Sequence, residues 1–469
     1  MKLKKIIIKN YKQLKDVEID LTYPRGHRKA GKPLDKICIL GKSGTGKTTL
    51  LRLIKWFISR DPKIHENLQL PIAPDTEAAM DFEIFDLHYR LINKGVDHVY
   101  HSFGRKEKIK SDGTVDNTFD HWHGDFIRCM KQISPLLINY PADLMPLTGD
   151  STPGKQEYAG GAGGVKEQES PIPPGKPGPE QIIDFSFEDI KKTWDFILMD
   201  IKDHRAKELL IKDKIVAAKS RGGSMQEIQK QDREYKKWLN QNPSPLETLA
   251  VRFLDPILQK LGLEVKTDLS YQSIIDLTFI ELQALTGEVV HRDLWSTGTR
   301  QQVLTVLPLY QLKPENAVIL IDEPERSLYP DIQLSIADDY VKAAPDCQFF
   351  FATHSPFITA SFEPWEIVEL KFDDKNTYAY RDLNYTGENH VKNYKYHPHY
   401  LRWDSNVMHI FDVETEGGKK REDALDKLAD INIRIKKLKR EKKFDSPEGR
   451  KLAKEYLKLS EMLDWRTGQ

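Results

Sequence analysis

Cysteine is scarce: Cys38, Cys129 and Cys347 are the three in 469 residues, far apart and without C-x-x-C spacing. That excludes a disulfide framework and a zinc ribbon, and makes cytoplasmic residence the simplest expectation. No run approaches eighteen apolar residues, so no membrane span is expected, and the apolar segment of "MKLKKIIIKNYKQ" is too short for a signal peptide. An excess of one charge is also missing. Lys plus Arg number 71 and Asp plus Glu 71, so any contact with nucleic acid has to come from a local patch.

The length suffices for two or three domains with a sizeable core. "KKIIIKNYKQLKDVEIDL" alternates like two strands joined by a polar turn, "DKICILG" reads as a buried strand ending at Gly41, and "KTTLLRLIKWFI" has apolar residues at helical spacing. Residues 147–180 are rich in Gly, Pro, Ser and charge and cannot repay their ordering entropy, which predicts a mobile loop. From Phe187 to about Leu239 the pattern is helical, broken by "SRGGS" at 220–224. A hairpin with arms of about 15 to 30 residues is expected, its stripe being Ile190, Trp194, Ile197, Ile201 and Leu209. "AVILIDEPE" and "QFFFATHSP" read as buried strands flanking the helical "DIQLSIADDYVKAA", a β-α-β unit of a parallel sheet. Beyond Asn406 the chain is helical and strongly charged.

The chemistry lies at the strand ends. "ILGKSGTGKTTLL" fits G-x-x-x-x-G-K-[ST] between a strand and a helix, with Gly41, Lys42, Ser43, Gly44, Thr45, Gly46, Lys47, Thr48 and Thr49 as the phosphate cradle. The glycines let N–H groups turn inward around phosphate, Lys47 reaches the β and γ phosphates of ATP, and Thr48 ligates Mg2+. "VILIDEPE" brings Asp322 to a strand tip as a second Mg2+ ligand and Glu323 as the group that polarises water. "FFFATHSP" sets His354 at the end of a neighbouring strand, where it can sense the γ-phosphate. In "LWSTGTRQQ", Ser296 and Gly298 open a helix and offer a hydroxyl and bare N–H groups to an anion, although a plain N-cap explains the serine equally well.

The ordered set "GKSGTGKTT", "WSTGTRQ", "LIDEPE" and "ATHS" resembles the ABC-class AAA-family ATPase head shared by SMC, Rad50, RecF and OLD-type proteins, and "ERSLYP" resembles its D-loop. The resemblance covers roughly residues 1–140 and 245–370. It implies an α/β P-loop NTPase head, a mixed sheet flanked by helices, with an inserted helical hairpin and a charged helical tail. The implied divisions are an N-terminal lobe (1–146), a flexible Gly/Pro-rich loop (147–182), the hairpin (183–244), a C-terminal lobe with signature, Walker B and H-loop (245–405), and the tail (406–469). It further implies that Ser296 and Gly298 act in trans on ATP held by a second copy, in a head-to-head dimer or higher homo-oligomer. The usual L-S-G-G-Q signature stands here as Trp295, Ser296, Thr297, Gly298 and Thr299, and "PLLINYPADLMP", where a Q-loop is expected, has no glutamine.

A head with a short insertion and a charged tail is similar to ATPase subunits of bacterial anti-phage systems: Septu, PARIS, retron-associated and OLD-like. That resemblance implies a sensor or scaffold controlling an effector supplied in trans, such as a Toprim or HNH nuclease. The alternative is a RecF- or Rad50-like DNA-repair ATPase that clamps DNA. The basic stretch "RIKKLKREKK" at 434–443 is its candidate contact, although a solvated helix face is the commoner origin of such runs. A transporter ATPase, which needs a membrane partner, fits the hairpin and tail poorly. "HWHGD" at 121–125 and "YHPHY" at 396–400 lack the spacing that completes a metal site.

Overall fold

The computed structural model describes residues 1–58, 77–84, 87–94, 137–142, 182–185, 187–270, 273–274, 277, 279–372, 379–382, 397–411 and 418–463. The chain forms two compact units, Met1–Tyr400 and Leu401–Gln469. Among the described residues no helix is long and apolar enough to cross a membrane.

The first unit is built on one sheet. Its strands are β1 (Lys2–Tyr11), β2 (Leu14–Asp20), β3 (Lys36–Gly41), β4 (Glu77–Ile84), β5 (Leu87–Lys94), β6 (Leu137–Tyr140) and β7 (Ile182–Asp184). A separate small antiparallel sheet holds β8 (Leu263–Val265), β9 (Leu282–Ala284) and β10 (Val289–Val290). The large sheet is completed by β11 (Val318–Asp322), β12 (Gln348–Ala352), β13 (Ile367–Phe372) and β14 (Ala379–Asp382), in the order β5-β4-β1-β2-β14-β13-β3-β12-β11-β6-β7. From β13 to β7 every neighbour is parallel, whereas β5-β4-β1-β2 is an antiparallel run made of two hairpins paired through β1 and β4.

The residues account for the two halves. β3, β11 and β12 are apolar runs buried on both faces, as strands covered by helices must be. β1 instead buries Leu3, Ile6, Ile8 and Tyr11 and turns into β2 through Lys12 and Gln13, Lys12 taking a left-handed φ of 50°. Gln348, fully buried at the start of β12, fastens the halves together. Its side chain accepts the Leu3 N–H at 2.6 Å and donates to the Leu3 and Leu34 carbonyls at 2.9 Å each.

Helix α1 (Lys47–Ile58) packs Leu50, Leu53, Ile54 and Phe57 into the core. The expected hairpin is α2 (Phe187–Ser220) and α3 (Met225–Gln241), so the first arm, at 34 residues, is longer than the apolar pattern suggested. Trp194, Ile197 and Ile201 are buried and Leu209 is half-buried; Ile190 lies among residues whose side chains are not described. Between the arms Glu208 accepts from Tyr235 at 2.8 Å and pairs with Arg205 and with Lys212. The root of α2 packs on α4 (Thr297–Leu312), with Trp194 stacked on Phe279 and Phe279 against Trp295. α5 (Ile336–Ala343) lies between β11 and β12 in sequence.

Two boundaries shift. Ile182–Asp184, divided above between the loop and the hairpin, is the edge strand β7, because its paired isoleucines bond alongside β6. The rest of the expected mobile loop lies outside the described residues. The second unit begins at Leu401, and its helix Trp403–Ile410 runs across the boundary expected at 405/406. That unit continues as α6 (Lys419–Arg440) and α7 (Pro447–Met462), joined by a small core of Ile431, Ile435 and Leu452.

Candidate nucleotide site

β3 lies between β13 and β12, and β12 lies between β3 and β11, so three adjacent parallel strands end at one edge. The loop after β3, the acids at the end of β11 and His354 after β12 therefore lie along that edge. β3 ends at Gly41, with φ +148°; a Cβ at that position would lie 2.3 Å from the Leu370 carbonyl oxygen, so only glycine lets the turn leave the sheet so close to β13. Residues 42–46 close the loop, with Thr45 donating its hydroxyl to the Lys42 carbonyl at 2.8 Å, and α1 begins at Lys47.

Lys47 is folded back onto the loop. Its ammonium donates to the Gly41 carbonyl at 3.0 Å and to Lys42 at 3.4 Å, and lies 2.7 Å from Nε2 of His354. Burial pushes the Lys47 pKa down to about 8, against the pull of Asp322, Glu323 and Glu325. Burial, and then the neighbouring Lys47, lower that of His354, so the imidazole is neutral and accepts from the ammonium. At the next residue, the Thr48 hydroxyl donates to Asp322 at 2.7 Å. Burial raises the Asp322 carboxyl, an effect the Thr48 bond opposes and Glu323 reinforces.

Glu323 stands just beyond β11 with φ +52°, a conformation that costs a non-glycine residue about 1 kcal/mol and is held by its N–H bonding to Ala352 at 2.8 Å. Strain of this kind concentrates where a side chain must be aimed. The structure thus brings together the loop from Gly41 to Thr49, Asp322, Glu323 and His354.

Ser296 and Gly298 are elsewhere. Ser296 is the exposed N-cap of α4, and among the described residues its hydroxyl bonds only within its own helix, accepting the Thr299 N–H at 3.0 Å and lying 2.8 Å from the Thr299 hydroxyl. Gly298 is buried, and a Cβ there would lie 2.5 Å from the Ser327 carbonyl oxygen, so its role in this chain is close packing against the segment after β11. Within one copy neither residue is hydrogen-bonded to the loop.

Several contacts escaped the motif reading. Gln13, at the tip of the β1–β2 hairpin, bonds to Thr49 at 3.2 Å and to the Gly44 carbonyl at 3.4 Å. Arg326 bonds to the Ala142 carbonyl at 2.9 Å, just after β6, and Glu325 accepts the His354 N–H at 2.7 Å. Glu325 and Arg326 open "ERSLYP", the stretch that resembles the D-loop, but that resemblance names neither of these partners. Of the demoted histidines, His397 and His399 lie 3.7 and 3.6 Å from Glu363, while "HWHGD" lies outside the described residues. No group of three or more His, Cys, Asp or Glu among the described residues could hold a metal ion.

The family model described as AAA ATPase domain matches residues 1–359. No curated protein matches the chain. Among solved structures the chain is similar to an SMC head bound to the C-winged helix domain of ScpA (14% identity, 81% of this chain and 97% of that one, TM-score 0.40). It is also similar to the SMC head domain of Thermotoga maritima (11%, 81% and 98%, 0.39). A third is the Smc head with an extended coiled coil bound to the C-terminal domain of ScpA, from Pyrococcus furiosus (12%, 81% and 95%, 0.38).

Proposed function

The chain belongs to the AAA ATPase domain family, and from that premise we propose that it binds ATP with Mg2+ at the tips of β3, β11 and β12 and hydrolyses it. The observation that carries this reading is the convergence of Lys47, Thr48, Asp322 and His354 within hydrogen-bond reach at one sheet edge. A hydroxyl beside a carboxylate is a donor set suited to a hard cation, and the glycine-rich loop after β3 carries the backbone N–H groups that suit phosphate. When bound, Mg2+ offsets charge on the phosphates, and ATP supplies the phosphoryl group transferred to water.

The chain's own part is positioning and charge. Lys47 would exchange its carbonyl partners for phosphate oxygens, and leaving Nε2 of His354 frees that nitrogen to take up a proton, by change of tautomer or from solvent, and donate it to the terminal phosphate. Glu323, aimed by its left-handed backbone, takes a proton from the attacking water. Lys47→Ala should abolish nucleotide binding and Glu323→Gln should keep it while phosphate release falls; undiminished release in both variants would defeat the assignment.

At the next level, two copies close head to head, with Ser296 of one facing nucleotide held by the other. The assembly then acts as the sensor or scaffold of an anti-phage defence complex and restrains a nuclease effector supplied in trans. Support for this role is the resemblance of the motif set and charged tail to such subunits. A native operon carrying Lys47→Ala should no longer protect its host from phage; full protection would remove the role. The DNA-repair reading is kept alive by α6, where Arg434, Lys436, Lys437, Lys439 and Arg440 are all exposed. It requires ATP-dependent DNA binding that weakens steeply with salt.

A further inference from the structure

His354 N lies just past the end of β12. The preceding groups are already paired: Thr353 N–H bonds to Ile39, and the Ala352 carbonyl accepts from Glu323. The His354 N–H goes to a side chain instead, Oε1 of Glu325, at 2.7 Å. The other oxygen, Oε2, is sealed from solvent, and the Thr353 hydroxyl also interacts with the carboxylate and, with the His354 N–H, opposes the effect of burial on it. Burial raises the Glu325 carboxyl, in keeping with that enclosure.

The backbone around Glu325 connects it further. Its carbonyl accepts the Leu328 N–H at 3.0 Å, closing the turn that carries Ser327, whose carbonyl abuts Gly298. The next residue, Arg326, is tied to Ala142. The carboxylate of Glu325 therefore links a braced turn to the main chain of His354, and the ring of His354 in turn meets Lys47.

We propose that Glu325 is a positioning residue: it holds the His354 backbone so that the imidazole stays directed into the site, at Lys47 without nucleotide and at the terminal phosphate with it. The proposal rests on the ATPase reading of the site. It makes the hydrogen-bond acceptor, rather than the charge, the functional attribute of Glu325, because only an oxygen is needed to hold the N–H.

The test is steady-state ATP turnover and equilibrium nucleotide binding by the full chain as wild type, Lys47→Ala, Glu325→Ala, Glu325→Gln, His354→Ala and the Glu325→Ala/His354→Ala pair. Glu325→Ala should lower kcat about tenfold or more while ATP affinity stays within about threefold. Glu325→Gln should restore kcat to within about threefold of wild type, since its amide oxygen still accepts the N–H. The double variant should be no slower than His354→Ala alone, as expected of a residue acting through the histidine. Unchanged turnover in Glu325→Ala, a folded Glu325→Gln as slow as the alanine variant, or losses that multiply in the pair would each overturn the proposal. If Glu325→Ala fails to fold, the glutamine variant decides alone. Turnover that survives Lys47→Ala overturns the ATPase reading itself, which keeps the two failures distinct.

Discussion

Thr48 donates its hydroxyl to the Asp322 carboxylate across 2.7 Å, joining the first turn of α1 to the tip of β11 over 274 positions of sequence. The contact is a consequence of strand order. β3 and β11 flank β12, so the residue after the loop lysine and the last residue of the acidic strand meet across it. Burial raises the Asp322 carboxyl, and a divalent cation among these oxygens would favour its ionised form.

Replacing Asp322 by Asn should separate the metal from the fold. The amide oxygen still accepts the Thr48 hydroxyl, so the thermal midpoint should barely change. ATP turnover should fall by roughly two orders of magnitude through loss of an anionic metal ligand, with metal-free ATP binding close to wild type. Calorimetric titrations with and without Mg2+ check this, and a variant that keeps full Mg2+-dependent turnover would remove Asp322 from the metal site.

Ser296 poses a question that one copy cannot answer, since its hydroxyl is occupied capping α4. Ser296→Arg loses that cap, at a cost of about 1 kcal/mol, and sets a bulky cation on the exposed face. In the Glu323→Gln background it should bind ATP as well as its parent yet remain monomeric by light scattering. An ATP-dependent dimer of unchanged strength would show that the start of α4 does not face the second nucleotide.

The strands and helices that carry the site were legible because each is a contiguous apolar run closed by polar residues, as in "DKICILG", "VILID" and "QFFFA". The contacts between them were not. Gln13 reaches Thr49, Glu325 reaches the His354 main chain, and Gly298 packs under Ser327 only because topology juxtaposes them, and none leaves a periodic trace. The edges of the sheet were hidden for a different reason: β7 is three residues long, too short for alternation to register. In α2, Glu208 is buried in what the sequence presents as a charged surface, because Tyr235 and Lys212 satisfy it from two sides.

Gln348 offers a stability test remote from the chemistry. It satisfies the Leu3 N–H and the Leu3 and Leu34 carbonyls from a fully buried position, so Gln348→Leu strands three main-chain groups where water does not enter. The expected loss is roughly 3 kcal/mol, visible as a lower urea midpoint at unchanged slope. A loss below about 1 kcal/mol would mean that β1 pairs adequately without the clamp.

Glu366 should make stability depend on pH. It is buried in the turn Pro364–Glu366 ahead of β13, where its carboxylate accepts the Glu363 N–H at 2.9 Å and lies 4.0 Å from Lys36 Nζ. That ammonium is also bonded to Asp338 and to the Ser361 carbonyl at 2.6 Å each. Burial pushes the Glu366 carboxyl up to about 7 from an ordinary 4.5, with Lys36 opposing. The folded chain therefore holds this proton more tightly than the unfolded one. The resulting stabilisation is full below pH 4.5 and is lost as pH rises through about 7. Between about pH 5.5 and 8 the loss from this residue amounts to about 2 kcal/mol. Glu366→Gln keeps an oxygen for the Glu363 N–H and does not titrate, so its stability relative to wild type should climb by about 2 kcal/mol over the same interval. Urea melts of both proteins at the two pH values measure the difference. A gap that stays flat would place the folded carboxyl back in the ordinary range, with Lys36 offsetting its burial completely.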